Sequence, residues 1–263
     1  ASDGGHLIIS KEEKEEIVKK YPETIRHFRK FVGGLEFLRG QERWCIWINE
    51  AEYNILNKYP IFHDIFVNVE IARKTSTRKD TQEYAKKPYK FIQIRNKDKN
   101  KLFIPSPTSG AREYLTFGYY EPDVIISAPH QVIYEAPLFL FSLLSTRLHM
   151  VWAKTVGGKL KEDIRYSSQL CYNTFPVPSL TKESIKSLEI LSYKLLDARE
   201  LYSQKTISEM YTPNKMPLEI KSVHNEIDVY VESLYSSKFL KSDEERLDCL
   251  FEWYEKLTGV FNA

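Results

Sequence analysis

The sequence predicts an α+β protein, with a mixed α/β domain on a predominantly antiparallel sheet over residues 1–176 and a small helical bundle over residues 177–263. In the first part, short apolar runs alternate with amphipathic runs, and Pro, Ser and Gly separate them. In the last part, apolar residues recur every three or four positions, which is the period of helices that bury one face. Pro176 and Pro178 mark the boundary.

The predicted strands are short apolar runs that lie between turn-forming residues. They cover residues 44–48, 101–105, 114–119, 124–127 and 169–175. The run at 44–48 contains two tryptophans, which we assign to the core together with the other large apolar rings.

Capping signals and the helical period predict the helices. Ser10 with Glu13 begins the first helix, and Pro22 begins a second that runs through Phe31. Residues 61–78 and 137–154 form two longer helices. Three further helices follow in the last part, and their predicted ranges begin near Thr181, Ile220 and Ser242.

Composition excludes several classes of protein. Hydrophobic residues make up 42% of the 263 residues and charged residues 28%, which suits a folded core and argues against disorder. No apolar run approaches the roughly 20 residues that cross a bilayer, and no signal peptide precedes the first charges. Cys45, Cys171 and Cys249 lie far apart in apolar settings, so we expect reduced, buried thiols in a cytoplasmic protein. The start at Ala1 predicts a fragment of a longer protein, although processing or a tag would give the same start.

Catalytic motifs are missing from the sequence. It has no glycine-rich phosphate loop, no metalloprotease helix and no nucleophile elbow. The six histidines are scattered, and a structural role suits each of them better than a metal-binding one. We therefore expect the chemistry to lie outside this chain, with no metal and no cofactor bound by it.

Segments spread over nearly the whole chain carry a resemblance to a known family. Two long segments are the most specific: the run from Val156 to Leu160, which leads into Arg165-Tyr166-Ser167 and then into residues 171–178, and the run over residues 205–217. Others cover residues 43–48, 88–91, 112–114, 146–152 and 242–254. In these segments, and in their order, the chain resembles the target-recognition and C-terminal regions of MmeI-like type II restriction–modification methyltransferases.

The resemblance implies a function in DNA recognition. In that family this region follows an adenine-N6 methylase domain, which carries an Asn/Asp-Pro-Pro-aromatic tetrad. Asn173-Thr174-Phe175-Pro176 lacks the adjacent prolines of that tetrad. The implied partners are double-stranded DNA and the methyltransferase domain of the same parent chain, and the parent would bind S-adenosylmethionine. No membrane is implied.

The candidate contact residues follow from what DNA binding requires, which is neutralisation of phosphates and then readout of base edges. Phosphate and groove contacts are predicted for Arg73, Lys74, Thr75, Ser76, Arg78 and Lys79, and for Lys159, Lys161, Arg165, Tyr166, Ser167 and Ser168. Base readout is predicted for Ser106, Thr108, Ser109, Arg112 and Glu113, since Arg can bind guanine and Glu can accept from cytosine. A solvated charged turn or an ordinary loop would also explain each cluster.

Two other functions remain open at this stage. One is an independent metal-dependent nuclease that uses Asp123 or Asp163. The other is a protein-interaction scaffold whose acidic C-terminal helices bind a partner.

Overall fold

Short strands in three separate sheets form the β part of the molecule. The computed structural model describes residues 2–259. The strands in this range are β1 (Ile8–Ser10), β2 (Phe28–Val32), β3 (Arg43–Ile46), β4 (Lys101–Ile104), β5 (Thr108–Ser109), β6 (Gly118–Tyr120), β7 (Ile125–Ile126), β8 (Gln131–Tyr134), β9 (Gly158–Leu160) and β10 (Asp163–Arg165). All pairings between them in this range are antiparallel except that of β2 with β7.

Helices make up most of the remaining structure. They are α1 (Lys11–Lys20), α2 (Gly34–Arg39), α3 (Glu50–Leu56), α4 (Pro60–Lys74), α5 (Lys79–Glu83), α6 (Phe139–Leu144), α7 (Arg147–Val156), α8 (Lys182–Glu200), α9 (Ile207–Met210), α10 (Leu218–Tyr235) and α11 (Asp243–Thr258). The predicted α+β class, with mostly antiparallel sheets and C-terminal helices, is confirmed. None of the helices within residues 2–259 has the length and apolar character that a membrane crossing requires.

The described chain divides into two compact units. Unit 1 consists of residues 2–32, 41–98 and 122–127, and unit 2 consists of residues 33–40, 99–121 and 128–259. Each unit is therefore assembled from segments that are distant in the sequence.

Unit 1 is built on the four-stranded sheet β1-β3-β2-β7. Phe28 of β2 lies opposite Ile46 of β3, and both side chains are buried. Helix α4 supplies the facing layer of the core, because Phe62, Phe66 and Val69 recur at helical spacing and are almost completely buried. The Phe28 and Phe62 rings stack with centroids 6.1 Å apart.

The predicted helix from Pro22 to Phe31 is wrong in its second half. Pro22–His27 forms a 3₁₀ helix, and the chain then continues as strand β2. The reason is tertiary: Phe28 and Val32 are buried at the two ends of β2, and the sheet satisfies the backbone groups of the strand. By contrast, the capping box of Ser10 and Glu13 begins α1 as predicted.

Unit 2 holds the larger core. It contains the sheets β6-β4-β8 and β5-β10-β9, against which the helical part of the chain packs. Side chains at helical spacing, including Leu188 and Leu195 of α8 and Ile227 and Val231 of α10, are completely buried. The three predicted C-terminal helices correspond to α8, α10 and α11.

Three predicted elements of unit 2 differ from the structure. Residues 137–154 form two helices, because Thr146 caps a new helix by accepting from the His149 N–H at 3.1 Å. The predicted strand at 114–119 is reduced to β6, and the predicted strand at 169–175 is wrong. Ser168–Tyr172 is a π-helical turn, in which the Ser168 carbonyl accepts from the Asn173 N–H at 2.8 Å. Cys171 and Phe175 are buried at helical spacing.

Two buried histidines form hydrogen bonds with carbonyl and hydroxyl groups in the interior of unit 2. His224 Nδ1 donates to the Ser145 carbonyl at 3.0 Å, which leaves Nε2 to accept from the Tyr211 hydroxyl at 2.8 Å. His149 Nδ1 donates in the same way to the Leu144 carbonyl at 2.9 Å. Burial lowers the pKa of His149 to about 4 and that of His224 to about 3, so both imidazoles are neutral at pH 7.

The cysteines are free and buried, as predicted. Burial raises the pKa of the Cys45 thiol to about 12, which keeps it protonated and unreactive.

Candidate nucleic-acid interface

A three-stranded sheet in unit 2 brings two of the predicted loops together. Strand β5 comes from the predicted readout loop, and strands β9 and β10 come from the predicted basic loop. Ser109 lies opposite Asp163, and Thr108 lies opposite Ile164. These segments are more than forty residues apart in the sequence, and the sequence patterns did not predict their pairing. We call this sheet, with its connecting turns, the readout sheet.

The hairpin of β9 and β10 carries most of the exposed cations of the readout sheet. Lys159, Lys161 and Arg165 are all exposed. Lys161 adopts a φ of 56° at the tip of the hairpin. A residue that holds this left-handed conformation points to a tight, fixed turn and not to a loose loop.

Gly110 fixes the turn of β5 against this hairpin. A Cβ atom at this position would lie 2.3 Å from the Glu162 carbonyl oxygen. Any side chain at this position would therefore force the two segments apart. The glycine therefore serves the close approach of one protein segment to another.

A cavity of about 360 Å³ lies beside the hairpin. Its walls include Lys154, Lys159 and Lys161, with Glu162 and Asp163 as the acidic members. Lys154 was not predicted as a contact residue. Its pKa is lowered, mainly by burial and also by repulsion from Arg147, so an anion in the cavity would relieve an unfavourable charge. Its place in the last turn of the helix that leads into the hairpin is the sequence signal that could have identified it.

Ser106 and Thr108 lie inside unit 2, where their side chains support the loop. Ser106 is 2% exposed, its hydroxyl donates to the Tyr166 carbonyl at 2.9 Å, and its N–H donates to His130 Nδ1 at 3.0 Å. Thr108 is 3% exposed. Ser109 is half-buried on the same strand.

Arg112 and Glu113 lie at the end of the readout loop. Arg112 is 8% exposed, and its Nη2 donates to the Ser208 hydroxyl at 3.4 Å. Burial lowers the pKa of Arg112 despite the nearby Asp163. Glu113 is half-buried, 3.9 Å from the ammonium of Lys221.

Tyr166, Ser167 and Ser168 lie where the hairpin returns to the core. Tyr166 is 1% exposed, and its hydroxyl lies 3.2 Å from His149 Nε2. The carbonyls of Ser167 and Ser168 accept the first hydrogen bonds of the π-helical turn. These three residues therefore join the hairpin to the core.

The basic cluster predicted at residues 73–79 lies in unit 1, at the end of α4. Lys74, Thr75, Arg78 and Lys79 are exposed, and Ser76 is half-buried. Two of the cations already have acidic neighbours. Lys74 pairs with Glu70, and Arg78 Nη2 lies 2.6 Å from Asp80. The hydrogen bond from Arg78 lowers the pKa of Asp80.

Arg73 is the exception in this cluster, because it is completely buried. Its Nη1 donates to the carbonyls of Lys87 at 2.7 Å and Tyr84 at 3.1 Å, and its Nη2 donates to that of Lys90 at 2.7 Å. Burial lowers the pKa of this guanidinium. Arg73 is thus in the interior, where it holds the segment 84–90, and it is not placed to contact a phosphate.

We expect Arg73→Met to destabilise the protein by about 2 kcal/mol, because three part-buried carbonyls lose their charged donor. Urea unfolding followed by circular dichroism measures this loss. Lys74→Met is the matched control on the exposed side of the same turn, and its effect should stay within about 0.5 kcal/mol. Equal stability of the two variants would contradict the bracing role of Arg73.

Carboxylates and other ligating groups do not gather into a metal site in the described part of the chain, where no three His, Cys, Asp or Glu side chains could hold an ion together. Asp123 belongs to unit 1 and Asp163 to unit 2. The nuclease alternative therefore receives no support.

Comparisons with known proteins identify the family of this chain. The family model described as MmeI, target recognition domain, matches residues 1–179, and that of the MmeI C-terminal domain matches residues 181–261. DNA methyltransferase A of Bacillus subtilis (strain 168) is 38% identical over 257 residues, which are 98% of this chain and 29% of that protein. The solved structure of the type IIL restriction-modification enzyme MmeI in complex with DNA aligns with a TM-score of 0.92 at 33% identity, over 98% of this chain and 35% of that one.

The chain thus spans about a third of the length of each of these relatives. The family models together match nearly all of it, in the order of target recognition domain and C-terminal domain. The chain belongs to the MmeI family, and it comprises the target recognition and C-terminal domains of that family.

Proposed function

We propose that this chain recognises a specific sequence of double-stranded DNA on behalf of an adenine-N6 methyltransferase. The observation that carries the proposal is the readout sheet, where β5 pairs with a hairpin whose exposed cations lie beside a lysine-lined cavity. Phosphate neutralisation supplies most of the affinity in such complexes, and polar groups at base edges supply the specificity. The nuclease and scaffold alternatives have no comparable observation in their favour.

In this proposal the residues of the readout sheet have different roles. Lys154, Lys159, Lys161 and Arg165 neutralise phosphates, because they are the cations of the hairpin and its cavity. Ser109 and Glu113 are the predicted readout residues that keep partial exposure. The buried members of the predicted set, namely Ser106, Thr108, Arg112 and Tyr166, hold the sheet in place. Lys74, Thr75, Ser76, Arg78 and Lys79 form a second phosphate contact on unit 1.

The proposal includes a parent protein that is longer than this chain. Its methyltransferase domain would bind S-adenosylmethionine and act on an adenine flipped out of the duplex. Residues 1–176 would form the recognition part and residues 177–263 the helical part. A cytoplasmic location follows from the proposed substrate.

Salt dependence tests the proposal directly. If Lys154 and the three hairpin cations each neutralise one phosphate, the affinity for duplex DNA should fall at least about hundredfold between 50 and 200 mM salt, and the phosphate contact on unit 1 would make the fall steeper. Fluorescence anisotropy with labelled duplexes of varied sequence measures the affinity at each salt concentration. The proposed function would be contradicted by an affinity that does not change over this range. It would also be contradicted if no duplex is bound at 50 mM salt.

A further inference from the structure

A basic and aromatic pocket in unit 1 lies outside every site predicted from the sequence. Its volume is about 340 Å³. Trp47, Tyr89, Phe91 and Ile94 give it apolar walls, and the lysines Lys87 and Lys90 line it as well, as does Glu50. We call it the Trp47 pocket.

The aromatic walls of the Trp47 pocket are held by their neighbours. Trp47 follows strand β3, and its ring stacks on Phe91 with centroids 5.7 Å apart and planes inclined by 30°. Phe91 in turn stacks on Phe31, with centroids 6.4 Å apart. Tyr89 stacks on Tyr53 at 4.7 Å. These ring contacts hold the aromatic lining of the pocket in a fixed position, against which a planar ligand can pack.

Cations surround these rings. Lys87 and Lys90 are exposed, and their backbone carbonyls accept hydrogen bonds from the buried Arg73 guanidinium. The guanidinium of Arg29 lies 5.9 Å from the centre of the Trp47 ring and pairs with Asp98 at 3.0 Å. The irregular segment that carries the lysines is therefore fixed in position, although it has little regular secondary structure.

We infer that the Trp47 pocket binds one unpaired nucleotide, whose base packs against Trp47 and Phe91 and whose phosphate lies near Lys87 and Lys90. Aromatic stacking combined with cations for the backbone is how proteins bind unpaired strands. The volume is at the lower end of the range for small-ligand sites, about 300–1,000 Å³, which suits one nucleotide. A paired base has both faces covered by its neighbours in the duplex, so an extruded base is the form that can enter. The inference rests on the proposed function, because the nucleotide would belong to the bound DNA.

The test compares a fully paired duplex with the same duplex carrying a one-nucleotide bulge. The unmodified chain should bind the bulged duplex at least about fivefold more tightly, which is the gain expected from one base–aromatic stack. Phe91→Leu keeps an apolar side chain but removes the ring, so it should abolish this preference and leave the affinity for the paired duplex unchanged. Phe239→Leu, at an exposed ring of unit 2, is the matched control and should keep the preference.

Two additions keep the test decisive if Phe91→Leu fails to fold. Lys90→Gln, at an exposed position, should reduce the preference for the bulged duplex. Titration with deoxyadenosine monophosphate should quench tryptophan fluorescence in the unmodified chain and not in Trp47→Phe. Equal binding of both duplexes by the unmodified chain would overturn the inference while the proposed function stands. Binding of neither duplex would overturn both.

Discussion

A variant that reverses the three hairpin charges should bind duplex DNA at least about hundredfold more weakly. It carries Lys159→Glu, Lys161→Glu and Arg165→Glu. The variant replaces attraction to phosphates by repulsion at the exposed edge of the readout sheet. The logarithmic dependence of affinity on salt should become less steep by about three units, because about three fewer counterions are released on binding. Anisotropy titrations at several salt concentrations give both quantities.

A matched control separates this local effect from that of net charge. Lys182, Lys186 and Lys238 are exposed lysines of the helical region, and their replacement by Glu changes the formal net charge by the same amount. This second variant should lose much less affinity. Equal losses in the two variants would remove the readout sheet from the interface.

Unit 2 should lose stability steeply as the pH falls below neutrality, because its two buried histidines must become charged. Burial lowers the pKa of His149 to about 4 and that of His224 to about 3, against 6.5 in an exposed imidazole. The folded-state pKa values are depressed, so this stability is present above pH 6.5 and is lost as the pH falls toward 4. Asp228 acts in the opposite direction, since burial raises the pKa of its carboxyl to about 6.

Linkage gives the size of the effect. Between pH 7.5 and 4.5 the two histidines together should cost about 5 kcal/mol, and protonation of Asp228 should return about 2 kcal/mol, which leaves a net loss of about 3 kcal/mol. Urea unfolding at a series of pH values measures the slope. His224→Gln should remove about half of the histidine contribution. A free energy of unfolding that stays constant over this range would refute the assignment.

Local signals in the sequence predicted what local interactions determine. The capping box at Ser10, the apolar stripes of α8, α10 and α11, and the buried strand β3 all follow from residues close in the chain. The two loops that form the readout sheet were also identified, since dense clusters of polar and basic residues between regular elements are visible in a single sequence.

Pairings between distant segments account for most of the errors. The sequence from Phe28 to Val32 is compatible with the end of a helix. Pairing with β3 and β7 makes this segment a strand instead. Arg73 is identical in type to the exposed Arg78, and its hydrogen bonds to the carbonyls of Ser2 and of the segment 84–90 distinguish it as an interior residue. Tyr166 is directed inward by His149, which lies on another element. Such partners are defined by the tertiary structure, so composition and periodicity do not identify them.

The contact between Gly110 and the Glu162 carbonyl limits how such a domain can be redesigned. Any side chain at residue 110 would push the two halves of the readout sheet apart, whereas Ser109 is only half-buried and Ala111 is exposed. A combinatorial library aimed at a new target sequence should therefore diversify residues 109 and 111 and keep residue 110 invariant. Under the proposed function, the side chains at these two flanking positions would change while the glycine between them preserves the alignment of β5 with the hairpin.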